Sequence, residues 1–159
     1  MPVSVSPRAC CADDESILRE IYASTRAHDL ARTAWTDEQK AAFLRMQFDA
    51  QAHHYRAHFP AARFDLVVLG DEPSGQPIGR LYVDRRPTTI AVLDISLLPA
   101  HRGQGIGAKL METILSEARA SARNVELHVE KHNPARRLYE RLGFRVVEDG
   151  EVRVLMRAS

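Results

Sequence analysis

Apolar residues return at Ile17, Leu18, Ile21 and Tyr22, the spacing of a helix with one buried face. Asp13, Asp14 and Glu15 precede them, where acids suit the positive end of a helix. A second helix is expected from Thr36, with Gln39 as the other half of a capping box, running through Leu44 and Phe48 toward Tyr55. Pro60 lies beyond its end. The pattern then changes. Phe64–Leu69 reads as a strand, DEPSGQP as a turn, Ile78–Val83 as the second strand of a hairpin-like pair and Ile90–Leu98 as a third. A glycine-rich loop leads into a helix carrying Ile106, Leu110, Met111, Ile114, Leu115 and Ala118 on one broad face. Val125–Val129 is another strand. Asn133-Pro134 opens a last helix, a capping side chain followed by proline in the first turn. Leu138 and Leu142 mark its buried face and Gly143 is placed to end it. Phe144–Val147 and Val152–Met156 close the chain. With a short alternation near Val3 and Val5 at the start, the order is β-α-α-β-β-β-α-β-α-β-β, which implies a mixed sheet in an α/β or α+β domain.

Composition narrows the partners more than the fold. A chain of 159 residues fits one domain, and no linker, repeat or low-complexity tract divides it. Within it we distinguish an N-terminal strand and two helices (1–60), a core (61–148) and a last strand (151–158). A net charge of +1 lacks the basic surplus of a dedicated nucleic-acid binder. No window approaches the roughly 20 apolar residues of a membrane span, and MPVSVSPRACC lacks the apolar core of a signal peptide. Cys10 and Cys11 are adjacent, badly placed for an ordinary disulfide, and fit a reducing compartment. The expected location is the cytoplasm.

The chemistry is concentrated in PAHRGQGIGAKL, Pro99 to Leu110. Glycines between an apolar strand and a helix are a common way to hold a phosphate. Gly103, Gly105 and Ala108 match the dinucleotide fingerprint, with Glu126 or Glu130 near the place of its ribose-binding acid. In that fold, however, the strand runs straight into the first glycine, whereas here Pro99-Ala100-His101-Arg102 intervene. Only about 50 residues remain for the further strand-helix units it needs. A triphosphate P-loop fails because Lys109 stands between Ala108 and Leu110. The alternative is R-x-x-G-x-G, a loop whose N–H groups converge on a pyrophosphate at a helix start. A plain glycine-rich turn is the bland reading of the same letters.

About 25 residues further on comes HNPARRLYERLGF, His132 to Phe144. LLPAHRGQGIG and NPARRLYERLGF, with LHV between them, resemble the GNAT superfamily of acetyl-CoA-dependent N-acetyltransferases. The specific motifs cover about Asp94 to Phe144, and the order of elements agrees from near Val3 to Met156. The resemblance implies a mixed central sheet of about six to seven strands flanked by about four helices. It further implies acetyl-CoA as cosubstrate and a homodimer; no metal is expected. The strands before and after the loop would splay to admit the pantetheine arm. Leu97 would hold that arm and polarise the acetyl carbonyl through its backbone. Arg102, Gly103, Gln104, Gly105, Ile106, Gly107 and Ala108 would hold the pyrophosphate, and Asn133 would stand near the pantetheine.

Transfer to an amine needs a neutral amine, a donor for the developing oxyanion and a proton for the departing thiolate. Tyr139 matches the family's general acid; packed beside Leu138 and Leu142 it also reads as a core aromatic. For the base the sequence leaves several readings. The inward positions of the strand before the loop, Ala91, Leu93 and Ile95, cannot titrate. Asp94 lies on the opposite face unless a bulge turns it; it is the base candidate, or else a carboxylate that anchors helices. His128, Glu130 and a chain of water are the alternatives. The resemblance puts Trp35, His54 and Tyr55 near the acceptor, and His128 is a further candidate there. His54 and His58 have a metal-binding spacing but no third ligand. Arg136, Arg137 and Arg141 read as a solvated face from which one arginine could reach the outer phosphate. No Cys-His or Ser-His pairing is evident, which favours direct attack by the amine. The rival is a non-catalytic acyl-CoA-binding sensor, which needs the loop but no proton donor.

Overall fold

The protein is described by a computed structural model over residues 4–70 and 75–159; Val3 and the 71–74 part of the expected turn lie outside the described residues. Among them seven strands and four α-helices follow the expected order. The strands are β1 (Val5–Ala9), β2 (Arg63–Leu69), β3 (Gln76–Arg85), β4 (Thr89–Leu97), β5 (Asn124–Glu130), β6 (Arg145–Asp149) and β7 (Arg153–Ala158). The helices are α1 (Glu15–Ala31), α2 (Asp37–His58), α3 (Ile106–Ala120) and α4 (Ala135–Arg141). One mixed sheet has the order β1-β2-β3-β4-β5-β7-β6. Among the described residues no helix is long and apolar enough to cross a membrane.

The chain forms two compact units, one up to Leu81 together with Ser96–His101, the other Tyr82–Ile95 with Arg102–Ser159. In the first, β1 pairs antiparallel with β2 from Val5↔Leu69 to Ala9↔Asp65. Ile21 of α1 and Leu66 and Val68 of β2 form a buried cluster, with Ile17, Leu18, Cys10 and Leu98 packed round them. The acids before α1 divide their work. Asp14 is buried, takes both Arg8 guanidinium nitrogens at 3.1 and 3.2 Å and accepts the Cys11 N–H at 2.8 Å. That pairing with Arg8 holds its carboxyl below the usual carboxylate range. The capping box of α2 is complete: Gln39 N–H donates to Thr36 Oγ1 (3.1 Å) and Thr36 N–H to Gln39 Oε1 (2.9 Å). Both cysteines are free.

In the second unit β4 and β5 run parallel, joined by α3, which packs on β5. All six residues expected on the inner face of α3 are buried. β7 pairs antiparallel with both β5 and β6. α4 ends as its sequence predicts: Gly143 takes φ +99, and Phe144 N–H reaches back to Tyr139 O at 3.0 Å. Its inner face is centred differently from the expectation, since Tyr139 is buried while Leu138 and Leu142 are half-buried. β4 corrects the expected alternation as well. Ile90, Ala91 and Val92 are buried in succession, because a parallel strand covered on both sides has no solvent face to alternate with.

Candidate active site

The glycine loop takes its shape from backbone that only glycine adopts easily. Gly103 (φ +72) and Gly105 (φ +83) are left-handed, and Gly105 is the residue from which α3 starts. A side chain added at either would meet nothing within 4 Å, so the ground above the loop is open. The first i→i−4 bond of α3 is that of Lys109 to Gly105 O (3.0 Å), which leaves the N–H groups of Ile106, Gly107 and Ala108 as donors at the helix's open end. Gly107 is half-buried against Leu138, 3.9 Å from where its Cβ would stand, and Ile106 is buried and anchors the turn. Gly103, Gln104 and Gly105 are exposed, as is Arg102. A donor array at a helix start, reached through two glycines with open space beside them, suits a diphosphate.

Beyond this loop the strands part. The ladder between β4 and β5 runs only from Thr89↔Asn124 to Val92↔Leu127, although β4 continues to Leu97 and β5 to Glu130. β5 stays with β7 throughout, from Val125↔Ala158 to Glu130↔Arg153, while the part of β4 beyond Val92 is outside the ladder with β5. Asp94, half-buried, lies on this departing part of β4. Its charge reaches Tyr139 of α4. The Tyr139 phenol is pushed up to about 12, first by burial and then by the Asp94 carboxylate, since both disfavour phenolate. Its ring stands edge-on to Phe144 at 5.9 Å. Tyr139 therefore keeps its proton across the physiological range, beside the strand segment that has left the ladder.

The other residues singled out in the sequence are dispersed. Asn133 caps α4, its Oδ1 accepting the Ala135 N–H at 2.9 Å, and Pro134 already has helical backbone (φ −57, ψ −23). His128 and Glu130 are exposed, in register with Leu155 and Arg153 of β7. Leu97 is half-buried in the first unit. Trp35 is 42% exposed and edge-on to Phe43. His54 is exposed and stacked on His58 at 4.3 Å, whereas the half-buried Tyr55 lies 6.2 Å from the Phe64 ring. Eleven residues of α2 separate Phe43 from His54, roughly 16 Å at 1.5 Å per residue. Trp35 therefore stands apart from His54, whereas the His54 and Tyr55 rings lie 6.1 Å from each other. Among the described residues no group of three or more His, Cys, Asp or Glu is arranged to hold a metal ion. Arg136 lies on α4 with its Nη1 donating to Lys131 O at 3.1 Å.

Two residues escaped the sequence reading. Arg80 of β3 is 2% exposed; its Nη2 donates to Gln51 Oε1 at 2.7 Å and its guanidinium carbon lies 5.7 Å from the Tyr22 ring centre. Gly79, beside it, lies so close to Ser96 and Leu97 that a Cβ would fall 2.3 Å from Ser96 O. A cation and a glycine inside an apolar strand were the available signals.

Comparison with known proteins identifies the family and the fold. The model of the acetyltransferase (GNAT) family matches residues 20–144. Among solved structures the chain is similar to the PaiA N-acetyltransferase of Thermoplasma acidophilum in complex with coenzyme A, at 16% identity over 98% of this chain and 99% of that one, with a TM-score of 0.69. It is similar to an acetyltransferase of Thermus thermophilus at 20% identity, over 97% and 96% of the two chains, with a TM-score of 0.66. A nourseothricin acetyltransferase shares 28% identity over 62% of this chain and 65% of that one, with a TM-score of 0.51.

Proposed function

The chain belongs to the GNAT acetyltransferase family, and from that premise we propose that it moves the acetyl group of acetyl-CoA directly onto a primary amine. When bound, acetyl-CoA supplies the activated acetyl thioester. The N–H groups of Gly103 to Ala108 hold its diphosphate, with Arg102 and Gln104 at the loop's exposed edge. Asn133 and the Leu97 backbone take the pantetheine arm, and Leu97 also polarises the acetyl carbonyl.

Across the reaction one N–C bond forms and one C–S bond breaks. One proton leaves the amine and one arrives on sulfur. Tyr139 is the donor to sulfur, and Asp94 takes the proton from the amine. The observation that carries this reading is the pairing of these two groups: a phenol pushed up to about 12 with a carboxylate as the second cause. A buried phenol that holds its proton and a carboxylate whose charge acts on it offer one donor and one acceptor for a proton exchange. A carboxylate beside Tyr139 also keeps the phenol loaded for its role. The acceptor is a small-molecule amine or a protein amine; Trp35, His54, Tyr55 and His128 remain its candidate neighbours. The free thiols Cys10 and Cys11 fit the cytoplasm.

A thiol-release assay with acetyl-CoA and a broad amine panel tests the proposal. One thiol released per acetylated amine is expected. Coenzyme A binding without turnover on any amine would instead make the chain an acyl-CoA sensor.

A further inference from the structure

The hairpin of β3 and β4 changes step along its length. Near its turn the Arg86 N–H donates to Thr89 O at 2.9 Å. Counting back in step from that pair brings Ile78 opposite Leu97. Instead, the Ile78 carbonyl accepts the N–H of Leu98, one residue later, at 2.7 Å. β4 has therefore taken in one more residue than β3, which is a β-bulge.

Gly79 stands at that irregularity. An ideal Cβ there would lie 2.3 Å from Ser96 O, 2.8 Å from Leu97 Cδ2 and 3.2 Å from Leu97 Cα. In a regular ladder, carbonyls lie in the plane of the sheet while Cβ atoms project out of it. A carbonyl oxygen in the place of a Cβ has left the plane. The Ser96 carbonyl therefore lies over the face of β3, in the space that any side chain at 79 would need. Because a trans peptide points its C=O and its N–H in opposite directions, the Leu97 N–H is aimed away from that face. Gly79 itself is buried and lies outside the left-handed region, so glycine is needed there for its missing volume and not for its backbone.

We propose that Gly79 is a positioning residue for acyl transfer: its missing side chain lets the Ser96–Leu97 peptide turn out of the sheet and fixes the direction of the Leu97 N–H. The inference rests on the role given above to the Leu97 backbone, which must meet the acyl oxygen at one orientation to stabilise developing charge. Alanine is already too large. Its Cβ would meet a backbone oxygen, which cannot swing aside as a side-chain tip can, and the bulge would have to flatten.

The test compares Gly79→Ala with wild type by titration calorimetry with acetyl-CoA and, separately, with coenzyme A. Wild type is expected to bind acetyl-CoA more tightly than coenzyme A. The variant should lose that preference while its affinity for coenzyme A stays within about threefold and its kcat falls about 100-fold. The double variant Gly79→Ala/Leu97→Ala removes the Leu97 side-chain contact but leaves the Ser96 oxygen in place, so it should not recover. Recovery in the double variant, or a preference retained in Gly79→Ala, overturns the proposal. Should Gly79→Ala fail to fold, the Leu97 amide resonance of wild type decides: it should shift further with acetyl-CoA than with coenzyme A, and equal shifts would sink the idea. These binding readouts need no amine, so they stand apart from failure of the acetyl-transfer reading, which would appear as absent turnover in wild type.

Discussion

The loop around Gly105 and the strand pair around Gly79 both need glycine, for opposite physical reasons. At Gly105 the backbone is left-handed (φ +83) and the space beside it is open. At Gly79 the backbone is ordinary and the space is already filled by Ser96 O, 2.3 Å from the ideal Cβ. One site selects for conformation, the other for volume. The difference also separates two jobs. The loop, with the helix end behind it, has what a diphosphate needs. The departing part of β4 carries Asp94, whose charge acts on Tyr139. Affinity should follow the loop, and turnover should follow β4 and α4.

Gly105→Val should have the largest effect. A β-branched residue is a steric outlier at φ +83, and the strain can be relieved only by moving the loop. We expect coenzyme A affinity, measured by calorimetry, to fall at least about 100-fold. Gly105→Asn sharpens the comparison: asparagine tolerates left-handed backbone and the site is open, so affinity should stay within about tenfold. The same asparagine at Gly79 should be more damaging than alanine, since size is what that position excludes. Equal tolerance of asparagine at both positions would remove the distinction.

Tyr139→Phe comes next. It keeps the ring against Phe144 and removes only the hydroxyl, so kcat should fall about 100-fold with coenzyme A affinity unchanged. Asp94→Asn should lower kcat less steeply and bring the Tyr139 ionisation down, because the second cause of its elevation is gone. Ultraviolet titration of Asp94→Asn against Asp94→Asn/Tyr139→Phe isolates that phenol. A Tyr139 ionisation as high as in wild type would contradict the coupling.

Alkaline stability gives a smaller and slower signal. Tyr139 is raised to about 12 from an ordinary 10, and Cys10 to about 11 from 9, mainly by burial in both cases. Each group holds its proton more tightly when folded. Their contribution is fully present below pH 9 and is lost between about pH 9 and 12 as the unfolded chain ionises first. Chemical denaturation at rising pH should show that decline, and Tyr139→Phe should flatten its upper part. The smallest effect expected is that of Thr36→Ala, which breaks the capping box of α2 far from loop and strand. It should cost about 1 kcal/mol of stability by denaturant titration, with coenzyme A affinity unchanged.

What the sequence revealed follows from how local each cause is. The capping box at Thr36 and Gln39, the Asn133-Pro134 helix start, the Gly143 end and the six-residue face of α3 involve neighbours within a few positions. All of them were legible. The parity of β4 was not, because burial of Ile90, Ala91 and Val92 depends on what covers both faces of the strand. The same holds for Asp94, which simple alternation turns away from the site. Its charge nevertheless acts on Tyr139. Trp35, His54 and Tyr55 were grouped by resemblance, yet the length of α2 keeps Trp35 with Phe43 and His54 with His58. Gly79 carried the faintest signal of all. A glycine inside an apolar strand hints at close approach, but the partner, Ser96, lies 17 positions away across a hairpin.

The central claim is that the loop binds while Tyr139 completes the transfer. It is tested most directly by measuring coenzyme A affinity and amine-dependent thiol release in parallel on wild type and Tyr139→Phe. Equal affinities are expected, with turnover about 100-fold lower in the variant. Equal turnover in the two proteins would contradict it.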